Sequence, residues 1–136
     1  MTQSGILETV LYVDDLDAAR IFYREVLGLE PFVTVEGRHI FYRCGTQVLL
    51  LFNAKATRIA AVGAPIVVPT HGAVGEGHLC FRASAGEIAA WRHKLEDHGV
   101  EIEADFEWPQ GGRSIYFRDP SGNSLEFAEP GIWGLE

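Results

Sequence analysis

The feature that most constrains this chain is an internal repeat. Gly37-Arg38-His39-Ile40-Phe41-Tyr42-Arg43 and the residues through Phe52 align without a gap on Gly112-Arg113-Ser114-Ile115-Tyr116-Phe117-Arg118 and the residues through Phe127, at an offset of 75. Gly, Arg, Ile, Arg, Leu and Phe recur at matching positions. Two copies at so long a period exclude a solenoid and point to two similar halves that share one site. At 136 residues the chain has room for one real core, not for two independent domains.

Each copy reads as strand, turn, strand. In the second, Ile115 and Phe117 alternate with Ser114, Tyr116 and Arg118, the period of a half-buried strand. Asp119-Pro120-Ser121-Gly122-Asn123 carries turn chemistry: a preset φ at Pro, positive φ at Gly, and side chains that bond their own backbone at Asp and Asn. Leu125 and Phe127 then fall on one face and Glu126 on the other. In the ungapped register, Glu126 stands opposite Leu51.

The flanking segments repeat as well. Ile6–Val13 alternates as a strand with Glu8, Val10 and Tyr12 on one face, and Gly77–Arg82 does so with His78, Cys80 and Arg82. An offset of 70 brings Glu8 opposite His78. A helix follows each strand. Asp15 caps the first, its apolar stripe runs Leu16, Ala19, Phe22, Tyr23, Val26 and Leu27, and Gly28 ends it. Ser84 and Glu87 form a capping box on the second, Ile88, Trp91 and Leu95 make its stripe, and Gly99 ends it. Leu29–Val35 and Val100–Phe106 are the next strands, with Pro31 predicting an edge or a bulge. The fold class is therefore α+β, two tandem βαβββ modules forming a cup-shaped mixed sheet. Module one covers about residues 5–53, a connection about 54–75, and module two about 76–130, within a single domain over 1–136. Ile66-Val67-Val68 in the connection is a candidate short strand.

A net charge of −8 argues against a nucleic-acid surface. No apolar run approaches membrane-spanning length, and Met1–Gly5 lacks the pattern of a signal peptide. Cys44 and Cys80, without metal or disulfide spacing, read as reduced and half-buried, in a cytoplasmic protein.

Four repeat-equivalent slots result: Glu8, Leu51, His78 and Glu126. Three hold groups that bind metals. One imidazole and two carboxylates suit a divalent Mn, Fe, Co, Ni or Zn ion, and three protein donors leave positions open for substrate. Tyr116 and Arg118 share the face of Glu126 and are candidates to orient a substrate. A tyrosine there can equally fill the cup wall, and the arginine can equally form a surface ion pair. His71 can line an entrance or sit solvated in its loop, and Trp108 and Trp133 can cover a pocket or staple the ends.

Leu11-Tyr12-Val13-Asp14-Asp15-Leu16-Asp17-Ala18-Ala19, Phe22-Tyr23, Leu27-Gly28-Leu29, Gly77-His78 and Asp119–Glu126 together resemble the vicinal oxygen chelate superfamily. That superfamily includes glyoxalase I, extradiol dioxygenases, fosfomycin-resistance transferases and bleomycin-binding proteins. The resemblance implies a sheet closed around a divalent metal, often in a homodimer with the site between modules. By position, His78 and Glu126 match that superfamily's second-half metal ligands, and Glu8 sits at a ligand position where many members have His or Gln. The site itself predicts Glu126 or Glu8 as base when a carboxylate swings off the metal. The resemblance also implies a small oxygen-rich substrate whose neighbouring oxygens chelate the metal. Leu51 departs from the glyoxalase I pattern, which has a carboxylate there. Two other readings stay open. One is a metal-free protein that sequesters bleomycin-type antibiotics. The other is purely structural, with Glu126 paired to Arg118 or Arg43.

Overall fold

The computed structural model describes residues 1–136, which divide into two compact units, Met1–Gly75 and Glu76–Glu136. Unit one runs β1 (Glu8–Tyr12), α1 (Leu16–Glu25), β2 (Pro31–Val35), β3 (His39–Cys44), β4 (Gln47–Phe52) and a short α2 (Ala54–Thr57). Unit two runs β5 (His78–Arg82), α3 (Ala85–Asp97), β6 (Ala104–Glu107), β7 (Arg113–Arg118), β8 (Ser124–Ala128) and a 3-10 turn at Pro130–Trp133. Each unit is one mixed four-stranded sheet, ordered β1-β4-β3-β2 and β5-β8-β7-β6, the α+β arrangement of two βαβββ modules. In each, the first strand lies parallel to the last, with the helix supplying the crossover that a parallel pair requires.

The helices form where the caps predict. The Asp15 carboxylate accepts from the Ala18 amide, and the Ser84–Glu87 box closes in both directions. α1 buries Ala19, Phe22 and Tyr23, and α3 buries Ile88 and Leu95. Against them lie Leu11, Ile40, Tyr42, Leu49 and Leu51 in unit one, and Ile115, Phe117, Leu125 and Phe127 in unit two. Pro31 breaks the β2–β3 register, because it has no amide to donate to the ladder.

Four expectations change. Ile66-Val67-Val68 forms no strand, since the prolines around it leave it without a partner strand. Residues 54–57, read as weakly patterned, are a helical turn capped by Asn53. Cys44 is half-buried, but Cys80 is exposed, because β5 is an edge strand.

The fourth change concerns the repeat. Arg43 pairs with Val48, and its counterpart Arg118 pairs with Ser124, so the second hairpin carries one residue more. The offset of 75 relates β3 to β7, but 76 relates β4 to β8. A slip of one residue turns a strand side chain to the other face. Leu51 therefore packs on the helix side, fully buried, and the true counterpart of Glu126 is Leu50, opposite Phe41 as Glu126 is opposite Tyr116. The slot stays apolar, but its occupant changes. The offset of 70 for the first strands holds: the Val13 amide bonds the Phe52 carbonyl as the Ala83 amide bonds the Ala128 carbonyl.

Candidate functional site

Turn chemistry sets the site in unit two. The side chain of Asp119 accepts from the Ser121 and Asn123 amides at 2.9 Å each, and from the Asn123 amide group at 2.9 Å. Gly122 supplies the positive φ, 85°, that this loop demands. Asn123, 1% exposed, then turns its Oδ1 outward from the loop and accepts the Gly77 amide at 2.8 Å. One side chain thus ties the start of β5 to the start of β8. His78 and Glu126 follow within three residues of that tie.

Pairing fixes which groups share a face. Cys80, Glu126 and Tyr116 form one row across β5, β8 and β7, and His78, Ser124 and Arg118 form the next. His78 Nδ1 lies 3.0 Å from the Ser124 carbonyl oxygen. A carbonyl only accepts, so Nδ1 carries a proton and Nε2 is the ring nitrogen turned toward Glu126. That nitrogen stands 3.3 Å from Glu126 Oε2. The Glu126 side chain is 6% exposed, and its other oxygen, Oε1, is buried with no hydrogen-bond partner. The His78 ring also stacks on Tyr116, at 6.2 Å and 20°. Burial and then the Glu126 carboxylate push the Tyr116 hydroxyl up to about 12, and the same two causes push the Cys80 thiol up to about 12.

Tyr116, Cys80 and His78 all interact with the Glu126 carboxylate, but its buried Oε1 has no hydrogen-bond partner, and a buried acceptor left unpaired costs about 1–3 kcal/mol or more. A cation would remove that cost. The donors also fit one: two bonds of about 2.0–2.1 Å at a tetrahedral angle span about 3.3 Å, the separation found. The proton on Nδ1, held by a backbone carbonyl, is how a ligating histidine is commonly oriented. Glu8, the third predicted donor, lies on β1 in unit one, exposed and opposite Val48. Neither unit by itself gathers three His, Cys, Asp or Glu side chains into a finished cluster.

Arg118, predicted to orient substrate, has its fork filled. It donates to both Glu103 oxygens at 2.7 and 3.1 Å and to the Gly122 carbonyl at 3.0 Å, and Glu76 lies 3.4 Å away. Its partners are not Glu126, so the pairing of that carboxylate with Arg118 does not hold. Trp108 donates to Ser114 Oγ at 2.8 Å and packs edge-on against Phe106, whereas Trp133 stays exposed.

The corresponding face of unit one is aromatic. Phe52 meets His71, His39 and Phe41 edge-on at 4.7, 5.5 and 5.5 Å. The Tyr12 hydroxyl bonds His71 Nδ1 at 2.6 Å. The connection thus folds back onto its own sheet. Sequence reasoning gave no role to His39, Asn123 or Ser124. For Asn123 a signal existed, an Asn that closes a turn just before the Glu126 strand.

Comparison with known proteins follows the same lines. The family model described as Glyoxalase/Bleomycin resistance protein/Dioxygenase superfamily matches residues 5–127. A crystal structure of lactoylglutathione lyase from Agrobacterium tumefaciens is 44% identical, superposes with a TM-score of 0.93, and covers 99% of this chain and 100% of its own. Fosfomycin resistance protein FosX of Listeria monocytogenes is 30% identical over 127 residues, which is 90% of this chain and 87% of that protein. Virulence protein STM3117 from Salmonella typhimurium is 28% identical with a TM-score of 0.68, over 95% of this chain and 98% of its own. No helix is long and apolar enough to cross a membrane.

Proposed function

This chain belongs to the Glyoxalase/Bleomycin resistance protein/Dioxygenase superfamily, and from that premise we propose that it is a metal-dependent enzyme acting on a small substrate with neighbouring oxygens. The observation that carries the reading is the facing pair, His78 Nε2 at 3.3 Å from a buried Glu126 whose second oxygen has no partner. His78 and Glu126 hold a divalent ion, and Glu8 is the third candidate donor. Once bound, the ion supplies Lewis acidity toward a developing oxyanion. The chain's own groups do the rest. Glu126 or Glu8 accepts a substrate proton when its carboxylate swings off the ion. Tyr116, protonated at neutral pH, donates a hydrogen bond to a substrate oxygen beside Glu126. Arg118, already committed to Glu103, braces β7 instead of touching substrate. Ser124 and Asn123 are positioning residues, acting through His78 and the β5–β8 tie.

The apolar fourth slot, Leu50, favours a site of three protein donors. Both lactoylglutathione and fosfomycin, the compounds in the relatives' names, are the first probes for turnover. The deciding experiment is metal content of the purified, dialysed protein beside His78→Ala, Glu126→Ala and Glu8→Ala. Near-stoichiometric Mn, Fe, Co, Ni or Zn, lost in the first two variants, supports the enzyme; loss in Glu8→Ala extends the donor set to it. A wild-type protein that takes up no divalent ion overturns the reading in favour of metal-free ligand sequestration.

A further inference from the structure

One polar group on the face of the second sheet has no part in the function proposed above. Cys80 lies one side-chain repeat beyond His78 on β5, and the parallel pairing sets it opposite Glu126. Directly opposed residues in a sheet have Cβ atoms about 5 Å apart, so a sulfur one bond further on reaches the carboxylate. The thiol makes a weak contact of 3.7 Å with the Phe81 carbonyl and already interacts with the Glu126 carboxylate. Cysteine has a single side-chain torsion, staggered in three wells, so the sulfur adjusts toward an ion at Glu126 by small rotations about one bond. Glu126 cannot turn away. It is 6% exposed, and its buried Oε1 is unpartnered on the row that Cys80 shares.

We infer that Cys80 is a third donor of this cradle, recruited by thiophilic divalent cations of the Zn²⁺ and Cd²⁺ class together with His78 Nε2 and the Glu126 carboxylate. The inference rests on the proposed His78–Glu126 metal site. A neutral imidazole, a carboxylate and a thiolate balance a dication, come from two adjacent strands of one unit, and leave a fourth tetrahedral position open. Binding forms one metal–sulfur bond and releases the thiol proton to solvent; nothing is oxidised or reduced. Soft sulfur discriminates against Mn²⁺, which prefers oxygen and nitrogen. Cys80 therefore sets metal choice, and its partner Glu126 is common to both choices.

The test uses full-length protein stripped of metal. Cd²⁺ is titrated while the ultraviolet cadmium–thiolate charge-transfer absorption is followed, and Mn²⁺ binding is measured by equilibrium dialysis. Wild type and Cys44→Ser should develop the absorption stoichiometrically. Cys80→Ser should lose it, with Cd²⁺ affinity lower by at least about tenfold and Mn²⁺ binding retained. Absorption that persists in Cys80→Ser, or survives His78→Ala at full affinity, overturns the inference. Wild-type protein that binds Mn²⁺ through His78 but shows no thiolate absorption with Cd²⁺ overturns the role of Cys80 and leaves the proposed function standing. Protein that binds neither ion overturns both.

Discussion

The two units share a ladder and differ on one face of it. On the helix side they are alike, apolar in both: Leu11, Ile40 and Leu51 in the first, Phe81, Ile115 and Phe127 in the second. On the other side, equivalent positions diverge. Val10 stands where Cys80 does, Leu50 where Glu126 does, and Phe41 where Tyr116 does. The first unit covers this face with its own rings, His71 closing over Phe52. The second leaves His78 52% exposed beside a buried carboxylate. Packing against the helix fixes one face of a repeat, so change accumulates on the face that packing does not hold, and there a site can be built.

Exchanging the counterparts should break the comparison most severely. Leu50→Glu places a carboxylate among Val10, Phe41 and Phe52 with almost no solvent. A buried charge without a partner costs about 3–5 kcal/mol, so the urea midpoint should drop sharply. Glu126→Leu does the reverse. It should abolish divalent-ion uptake and raise stability of the metal-free protein by about 1–3 kcal/mol, because it removes a buried acceptor that has no donor. If Glu126→Leu instead destabilises the metal-free protein, the carboxylate is structural and the two faces differ less than their residues suggest.

The hairpins differ next. The first turns through Gly45-Thr46 alone; the second uses five residues braced by Asp119 and Asn123. Asn123→Ala removes the hydrogen bonds to the Gly77 amide and from the side-chain amide to Asp119, at about 1–3 kcal/mol. It should also weaken metal uptake, since the lost tie sits one residue from His78. The same tie explains what the sequence made legible. Helix caps and strand alternation depend on neighbours within a turn or two, and the equivalence of His78 and Glu8 on a constant offset between first strands, so all could be read from residue order. The place of Leu51 could not. It depends on how many residues the Asp119–Asn123 loop consumes, and an ungapped alignment hides one extra residue inside a turn. Nor could Cys80 be connected to Glu126, because their adjacency arises only from the parallel pairing of β5 with β8. For the same reason the repeat revealed two ligand candidates on one sheet without revealing that Ser124 orients the imidazole.

A nearer comparison lies between the tyrosines. Tyr116 faces Glu126, whereas Tyr42 is sealed between the first sheet and α1, stacked on Tyr23 at 5.9 Å, its hydroxyl buried without a partner. Burial pushes the Tyr42 hydroxyl up to about 12 from an ordinary 10.0, the charge of Arg20 opposing it only in part. The folded protein then holds a proton that the unfolded chain releases between those values. Stability is complete below about pH 10 and falls as pH rises towards 12. Tyr42→Phe removes this contribution and the unpaired hydroxyl together. Urea midpoints should rise by the equivalent of up to about 1 kcal/mol at neutral pH, and the alkaline decline should become shallower without vanishing, since Tyr116 is raised to about 12 as well. A midpoint that falls at neutral pH would mean that the Tyr42 hydroxyl contributes to the core, and that the helix-facing sides of the two units are less alike than their apolar residues indicate.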